Sequence, residues 1–382
     1  MTEKTVYLDH AATTPLDKEV LWEMHPYFCD CFGNADSVHA AGRRGMRVVD
    51  MARDNVAELL GAKPSEIYFT SGGTESDNWA ILGGAYAGRE QGKKHVLLSA
   101  IEHHAALYAG ERLQKEGFEV EYIPVDRLGR VRVEEVQKLL RPDTALVGVM
   151  AANNETGVLQ PVQQISQIVK ANGSLFFTDA VQLAPYAPID VKSFPVDMLS
   201  LSSHKFYGPK GCGVLYLRSG VKIEKLIGGG DQQRGLRGGT LNVPAIVGFS
   251  ASYYKNAQGM YESNQHIAML RRAFLEGISA LDSVYINGDE KESLPAILNL
   301  RVDGVENTAL LYAMDLKGVQ FAAGAACAAS SVKPSHVLKA MGLTDEEAKS
   351  SVRISFGKQN TEEEIAYAAK TFVQTVRQLR LK

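Results

Sequence analysis

The stretch Ser202-Ser203-His204-Lys205-Phe206-Tyr207-Gly208-Pro209-Lys210-Gly211 sets a lysine among hydroxyls and an imidazole, just before a glycine-rich turn. Such a lysine suits a Schiff base with an aldehyde, because a partly desolvated amine keeps enough neutral form to attack a carbonyl carbon. Taken alone, the stretch reads as easily as an ordinary basic loop. Upstream segments add matching chemistry. Thr178-Asp179-Ala180-Val181-Gln182 follows an expected strand and puts a carboxylate where open α/β sheets bind ligands. Asp179 could pair there with a protonated pyridine nitrogen and keep the ring an electron sink. In Ser71-Gly72-Gly73-Thr74, between a strand and a helix, backbone N–H groups and the Thr74 hydroxyl suit a phosphate. His103, in Glu102-His103-His104-Ala105, again follows a strand, and its imidazole could stack on the ring and shuttle protons near neutral pH. Each segment has a plainer reading, as a turn, a structural acid or a structural histidine. Phosphate turn, acid and lysine in this order are far more specific than any one of them. No metal site is expected: His103 and His104, adjacent on a helix, point in different directions.

These residues need a sheet to position them. Ile67–Thr70, His95–Ser99, Val120–Ile123, Ala145–Met150, Leu175–Thr178, Met198–Leu201 and Val214–Leu217 read as short strands. Helices are expected over Glu75–Ala87 and from about His103 to Glu116. Short apolar runs, several separated by helices, predict a mostly parallel sheet covered on both faces. Beyond about residue 250 a charged helix (Tyr261–Leu281), a strand at Ala296–Leu300, a helix near Thr308 and a last helix from Thr361 to about Leu379 predict a smaller α/β domain. Thr361-Glu362-Glu363-Glu364 is a capping signature with acids in the first turn.

The 382 residues suit two domains of different size. With 45% hydrophobic and 22% charged residues and a net charge of −3, the chain has the composition of a soluble globular protein with no nucleic-acid or membrane surface. Val6-Tyr7-Leu8 reads as a strand close behind Met1, leaving no room for an apolar leader, so a cytoplasmic location is expected. The four cysteines, Cys29, Cys31, Cys212 and Cys327, form no disulfide framework or zinc spacing. Cys29 and Cys31 read as ordinary thiols at a helix end, and Cys212, before a strand, as packing. Cys327 lies in Ala322-Ala323-Gly324-Ala325-Ala326-Cys327-Ala328-Ala329-Ser330-Ser331, where small residues suit either a buried cysteine or a loop that carries a thiolate to a cofactor.

The lysine stretch, Asp179-Ala180-Val181-Gln182, Thr70-Ser71-Gly72-Gly73-Thr74-Glu75-Ser76 and Asn153-Asn154-Glu155-Thr156-Gly157 resemble the motifs of cysteine desulfurases of the NifS/IscS type. The resemblance runs from Tyr7-Leu8-Asp9-His10-Ala11-Ala12-Thr13-Thr14-Pro15 to Arg353 and the final helix. It implies a fold-type I, class V aminotransferase-like homodimer bound to pyridoxal 5'-phosphate. A large domain over residues 15–250 would carry a mostly parallel seven-stranded sheet, and residues 1–14 and 251–382 would form the small domain. Lys205 would hold the cofactor, His103 would stack on its ring, Asp179 would pair with the ring nitrogen and Gln182 would contact the ring hydroxyl. Gly73, Thr74, Ser202 and His204 would hold the phosphate, with Thr240 reaching that of the other subunit. Asn34, Asn154 and Arg353 would bind the substrate, a guanidinium matching its carboxylate with paired donors. Cys327 would take sulfur from L-cysteine as a persulfide, leaving L-alanine, for delivery to a sulfur-acceptor protein serving iron–sulfur clusters or tRNA and cofactor thiolation.

Three places depart from the family pattern. Most hydroxyls of the loop around Cys327 are alanines here, Asp231 adds a negative charge near the expected dimer-facing loop, and Gly33-Asn34-Ala35 lacks the proline usual after the asparagine. Two alternatives stay open: another pyridoxal-phosphate enzyme of this fold (selenocysteine lyase, C–S lyase or aminotransferase), and a non-catalytic paralogue.

Overall fold

A computed structural model describes residues 5–324 and 334–381. Seven strands form one sheet: β2 (Ile67–Thr70), β3 (His95–Ser99), β4 (Glu119–Ile123), β5 (Thr144–Gly148), β6 (Leu175–Asp179), β7 (Met198–Ser202) and β8 (Gly213–Leu217). Their spatial order is β2-β8-β7-β6-β5-β3-β4, and only β8 runs against the rest. The mostly parallel seven-stranded sheet is thus present. Side chains alternate across it, as the pleat requires. Val214, Tyr216, Leu199 and Leu201 join one apolar core, while Leu215, Leu217 and Met198 join another. The helices Ala40–Leu60, Val162–Ala171 and Val243–Gln258 cover the first face; Gly73–Arg89 and His104–Lys115 cover the second. Both faces are therefore buried, which explains why these strands read as continuous apolar runs.

A second body combines the start of the chain with its end. Strand β1 (Val6–Tyr7) pairs in parallel with β11 (Val319–Gln320). Strands β9 (Val284–Ile286), β10 (Ile297–Val302) and β12 (Ser351–Ser355) form a three-stranded sheet in the order β12-β10-β9. Its core joins Val6 and Leu8 to Leu270, Phe274, Ile354 and Phe372, drawn in part from the helices Met260–Ile278 and Glu362–Arg380. The last helix opens with the expected capping box, Thr361 accepting from Glu364 N and Glu364 from Thr361 N. The helix Val243–Gln258 runs across the boundary expected at residue 250, and its Tyr253 still belongs to the large sheet's core. No helix among the described residues is long and apolar enough to cross a membrane.

Candidate active site

Parallel strands expose unpaired groups at their C-terminal ends, and here those ends converge on a cavity of about 200 Å³. β2 leads into Gly73 and Thr74, β3 into His103, β5 into Asn154, β6 into Asp179 and Gln182, and β7 into Ser202, His204 and Lys205. All of these line the cavity, and Arg353 reaches it from β12 of the smaller sheet.

Lys205 ends a single 3-10 turn, Ser203–Lys205, directly after β7. Its Nζ donates to the carbonyls of Ala11 at 2.5 Å and Ala12 at 2.9 Å, so the N-terminal segment fixes where the amine stands. Behind it the backbone is held in an uncommon shape: Tyr207 adopts φ 63°, a left-handed conformation that a side chain rarely takes. The Tyr207 N–H donates to Thr14 Oγ1 at 2.8 Å, and the Lys358 N–H donates to the Tyr207 hydroxyl at 2.9 Å. At Gly208 a Cβ would strike Ser252 and Ser203, which accounts for glycine there.

The acid side is unusually buried. Asp179 accepts the Val181 N–H at 2.8 Å and is pushed up to about 6 by burial, opposed by that bond and the Lys205 charge. Asp77 is only 1% exposed, takes a 2.6 Å hydrogen bond from Ser200 and is raised well above the carboxylate range, first by burial and then by Asp179. Glu102, fully buried, is pushed up to about 8 by burial, although Ser99 Oγ and Met150 N both donate to it. Three carboxyls with so little water cannot all ionise, and the Lys205 charge favours ionisation at Asp179. Sequence reading passed over Asp77 and Glu102. A signal was available, since each lies within four residues of a residue singled out for chemistry.

His103 caps the helix His104–Lys115, its Nδ1 accepting the Ala105 N–H at 3.2 Å. In the neutral ring this leaves the proton on Nε2. Burial, then the charge of Lys205, lower it to about 4, so it is neutral at pH 7. His204 is lowered to about 3 by burial and by Lys205 and Lys210; its Nδ1 meets Thr13 Oγ1 at 3.2 Å.

The helix Gly73–Arg89 begins at the cavity with no side chain capping it. Gly213 of β8 lies so close beneath that a Cβ there would come within 2.6 Å of the Gly72 backbone. The one acid in the first turn, Glu75, is tied by Arg237 at 2.8 and 3.0 Å and accepts Ser71 N–H at 2.8 Å. Its charge is thereby matched, and the N-terminal N–H groups retain their attraction for an anion.

At the opposite corner, Arg353 is 1% exposed. Its Nη1 donates to the Asn154 carbonyl at 2.9 Å and its Nη2 to Asp9 Oδ1 at 2.7 Å, while Nε is buried with no partner among the described residues.

Two expected positions lie elsewhere. Asn34 is exposed in the loop before the helix Ala40–Leu60, where its Oδ1 accepts the Asp36 N–H at 3.1 Å. Thr240 is exposed beside a second hollow that it shares with Ser71, Gly211 and Arg237. Cys327 lies outside the described residues. Cys212 is buried and its thiol is pushed up to about 12 by burial, as packing requires. Cys29 ends the helix Pro26–Cys29.

Comparison with known proteins decides the family. Residues 6–367 match the family described as aminotransferase class-V. The chain belongs to the class-V aminotransferase family. A protein of Methanosarcina thermophila named cysteine desulfurase IscS is 44% identical over 377 residues, covering 99% of this chain and 93% of that one. Another of that name from Clostridium botulinum is 43% identical over 380 residues, covering 99% and 96%. Among solved structures, a NifS-like protein superposes with a TM-score of 0.91 at 39% identity, over 97% of this chain and 98% of that one. SspA in complex with cysteine gives 0.83 at 35% identity, over 94% and 100%. The class-V scaffold uses pyridoxal 5'-phosphate, and the residues present fit that group. A lysine amine, a buried acid, a neutral imidazole and an uncapped helix N-terminus face one cavity.

Proposed function

We propose that this chain is a cysteine desulfurase, converting L-cysteine to L-alanine while Cys327 takes the sulfur. The thiol of Cys327 becomes a persulfide, Cys–S–SH, so the atoms balance with no added oxidant or reductant. The observation that carries the reading is the pairing, in one cavity, of the Lys205 amine with an Arg353 guanidinium whose buried Nε has no partner among the described residues. An amino acid presents one group for each. Relatives named cysteine desulfurase and the solved complex of SspA with cysteine support the same assignment.

Pyridoxal phosphate would be held by Lys205 at its aldehyde, Asp179 at the ring nitrogen, Gln182 at the ring hydroxyl and His103 at the ring face. Gly73, Thr74, Ser202 and His204 would hold its phosphate. When bound, the group supplies an electron sink for charge developing at the substrate's α-carbon. The remaining work belongs to the chain. Arg353 binds the substrate carboxylate and Asn154 lies beside it. Lys205 Nζ moves the proton of the α-carbon, steadied by the Ala11 and Ala12 carbonyls. His103 offers an Nε2 proton donor that stays uncharged near neutral pH. Cys327 attacks the substrate sulfur as a thiolate.

The proposal includes a homodimer. Trp22, Phe28, Phe32 and Val38 are 71%, 56%, 77% and 89% exposed, apolar surface that a second copy would cover. Thr240, which lies outside the main cavity, would reach the other subunit's phosphate across such an interface, and the loop of Asn34 lies within the same exposed apolar stretch of sequence. The chain divides into a large domain, 15–250 extended to the end of the helix at Gln258, and a small one joining residues 1–14 to the remainder; the separate apolar cores support this. A sulfur-acceptor protein and a cytoplasmic setting complete the reading.

The test is alanine formation from L-cysteine with a reductant, comparing the native protein with Cys327→Ala. Alanine from the native protein alone supports the assignment. Equal formation by both removes Cys327 as acceptor, and pyruvate in place of alanine favours a C–S lyase.

A further inference from the structure

The motif Asp9-His10-Ala11-Ala12-Thr13-Thr14 has chemistry that the mechanism above leaves unused. Asp9 forms a parallel bridge with Ser355, and Ser355 N donates to the Leu8 carbonyl at 2.7 Å. The Ala11 N–H donates to Ser355 Oγ at 2.9 Å. The segment is therefore laid along the end of β12, and Arg353 is two residues back on that strand, its side chain on the same face as that of Ser355. Close packing enforces the course, for a Cβ at Gly357 would enter the His10 ring.

We propose that Asp9 is a positioning residue for the substrate carboxylate, holding the Arg353 fork at the angle that an α-amino acid requires. The geometry gives the reason. Asp9 Oδ1 takes Nη2 at 2.7 Å and the Asn154 carbonyl takes Nη1 at 2.9 Å, so the two outer nitrogens are pinned and the plane of the guanidinium is set. Nε has no partner among the described residues, and each outer nitrogen keeps a second N–H, so the fork retains paired donors for a carboxylate. Arg353 is 1% exposed, and so buried a cation requires an anion beside it before any substrate arrives. Asp9, at 20% exposure, supplies it. The same short run also holds Lys205 through the Ala11 and Ala12 carbonyls, and the Ala11 carbonyl accepts from Gln182 at 3.0 Å. One segment thus sets the spacing between the carboxylate receptor and the amine that works at the α-carbon. The consequence is selectivity for amino acids over simple amines.

This inference rests on Arg353 receiving the carboxylate, and the experiment separates the two. The loaded enzyme is titrated with L-cysteine and with cysteamine, which lacks the carboxylate, by calorimetry on a Cys327→Ala background that blocks turnover. The preference for L-cysteine over cysteamine is expected to fall about tenfold in Asp9→Ala, the loss of one charge-assisted hydrogen bond. Asp9→Asn, which keeps an acceptor at Oδ1 and is close in shape, is expected to fall only about threefold. It also decides the matter by itself if Asp9→Ala does not fold. A preference that is unchanged or increased in both variants overturns the proposal, as does equal weakening of both ligands. Arg353→Lys is the control: if it too leaves the preference unchanged, the reading of Arg353 fails, and with it the basis for Asp9.

Discussion

The two ends of the cavity are built in different ways. The proposed cofactor wall is assembled from strand ends: Asp179 and Lys205 follow the adjacent strands β6 and β7, and His103 follows β3, across β5 from β6, so one sheet brings them together. The carboxylate corner is assembled from the two extremities of the chain, with Asp9 and Arg353 separated by 344 positions. Their charges also differ in treatment. On the cofactor wall, burial raises Asp77, Asp179 and Glu102 together, and the Lys205 charge opposes it at Asp179. In the corner a wholly buried cation, Arg353, meets a partly exposed acid, Asp9. The first arrangement tunes one acid; the second aims one cation.

The sharpest way to separate the two ends is to remove the lysine. In the proposed mechanism, Lys205→Ala would take away both the anchor of the cofactor and the carrier of the α-proton. Alanine formation is expected to fall on the order of a thousandfold or more, the scale of lost acid–base catalysis. The corner loses the Lys205 bonds to Ala11 and Ala12 but keeps Arg353, Asp9 and Asn154, so L-cysteine should still bind to the Cys327→Ala, Lys205→Ala double variant supplied with pyridoxal phosphate. Loss of binding together with turnover would show that the two ends do not act independently.

A smaller effect is expected from Arg353→Lys, which keeps the charge and loses the fork. Two parallel donors become one, so KM for L-cysteine should rise roughly tenfold to thirtyfold. Turnover at saturation and the absorbance of the bound cofactor should change little. An altered cofactor spectrum would mean that the corner shapes the far wall as well, against the division drawn above.

What could be read from sequence follows the same division. Strands β2, β3, β6 and β7 and the residues after them were legible because each unit is local: a short apolar run, then glycine, acid, histidine or lysine within a few positions. The helix Ala40–Leu60 carried a weaker signal. Gly42 and Gly45 dilute its propensity, yet Gly42 is needed, since a Cβ there would strike the Ser37 carbonyl. Asp9 stood in a recognisable motif, but its partner is at the other end of the chain, and no local pattern announces such a pair. Nor could spacing reveal that Glu102 is neutral at pH 7, because that depends on how many strands and helices close over it.

The smallest expected effect tests that neutrality. Glu102 is raised from 4.5 to about 8 in the folded chain. The fold therefore keeps its proton at pH values where the unfolded chain has lost it. The stability this contributes is complete below about pH 4.5 and drains away as pH rises towards 8. Between pH 4.5 and 7 the loss from this one group is on the order of 3 kcal/mol. Glu102→Gln copies the protonated form, since its Oε1 can still accept from Ser99 and Met150, but it cannot titrate. Thermal unfolding of native protein and variant should therefore coincide near pH 4.5 and diverge by a few degrees at pH 7, the variant being the more stable. Parallel curves would mean that Glu102 is ionised in the fold, and that the cofactor wall, like the carboxylate corner, carries a buried charge matched by a partner.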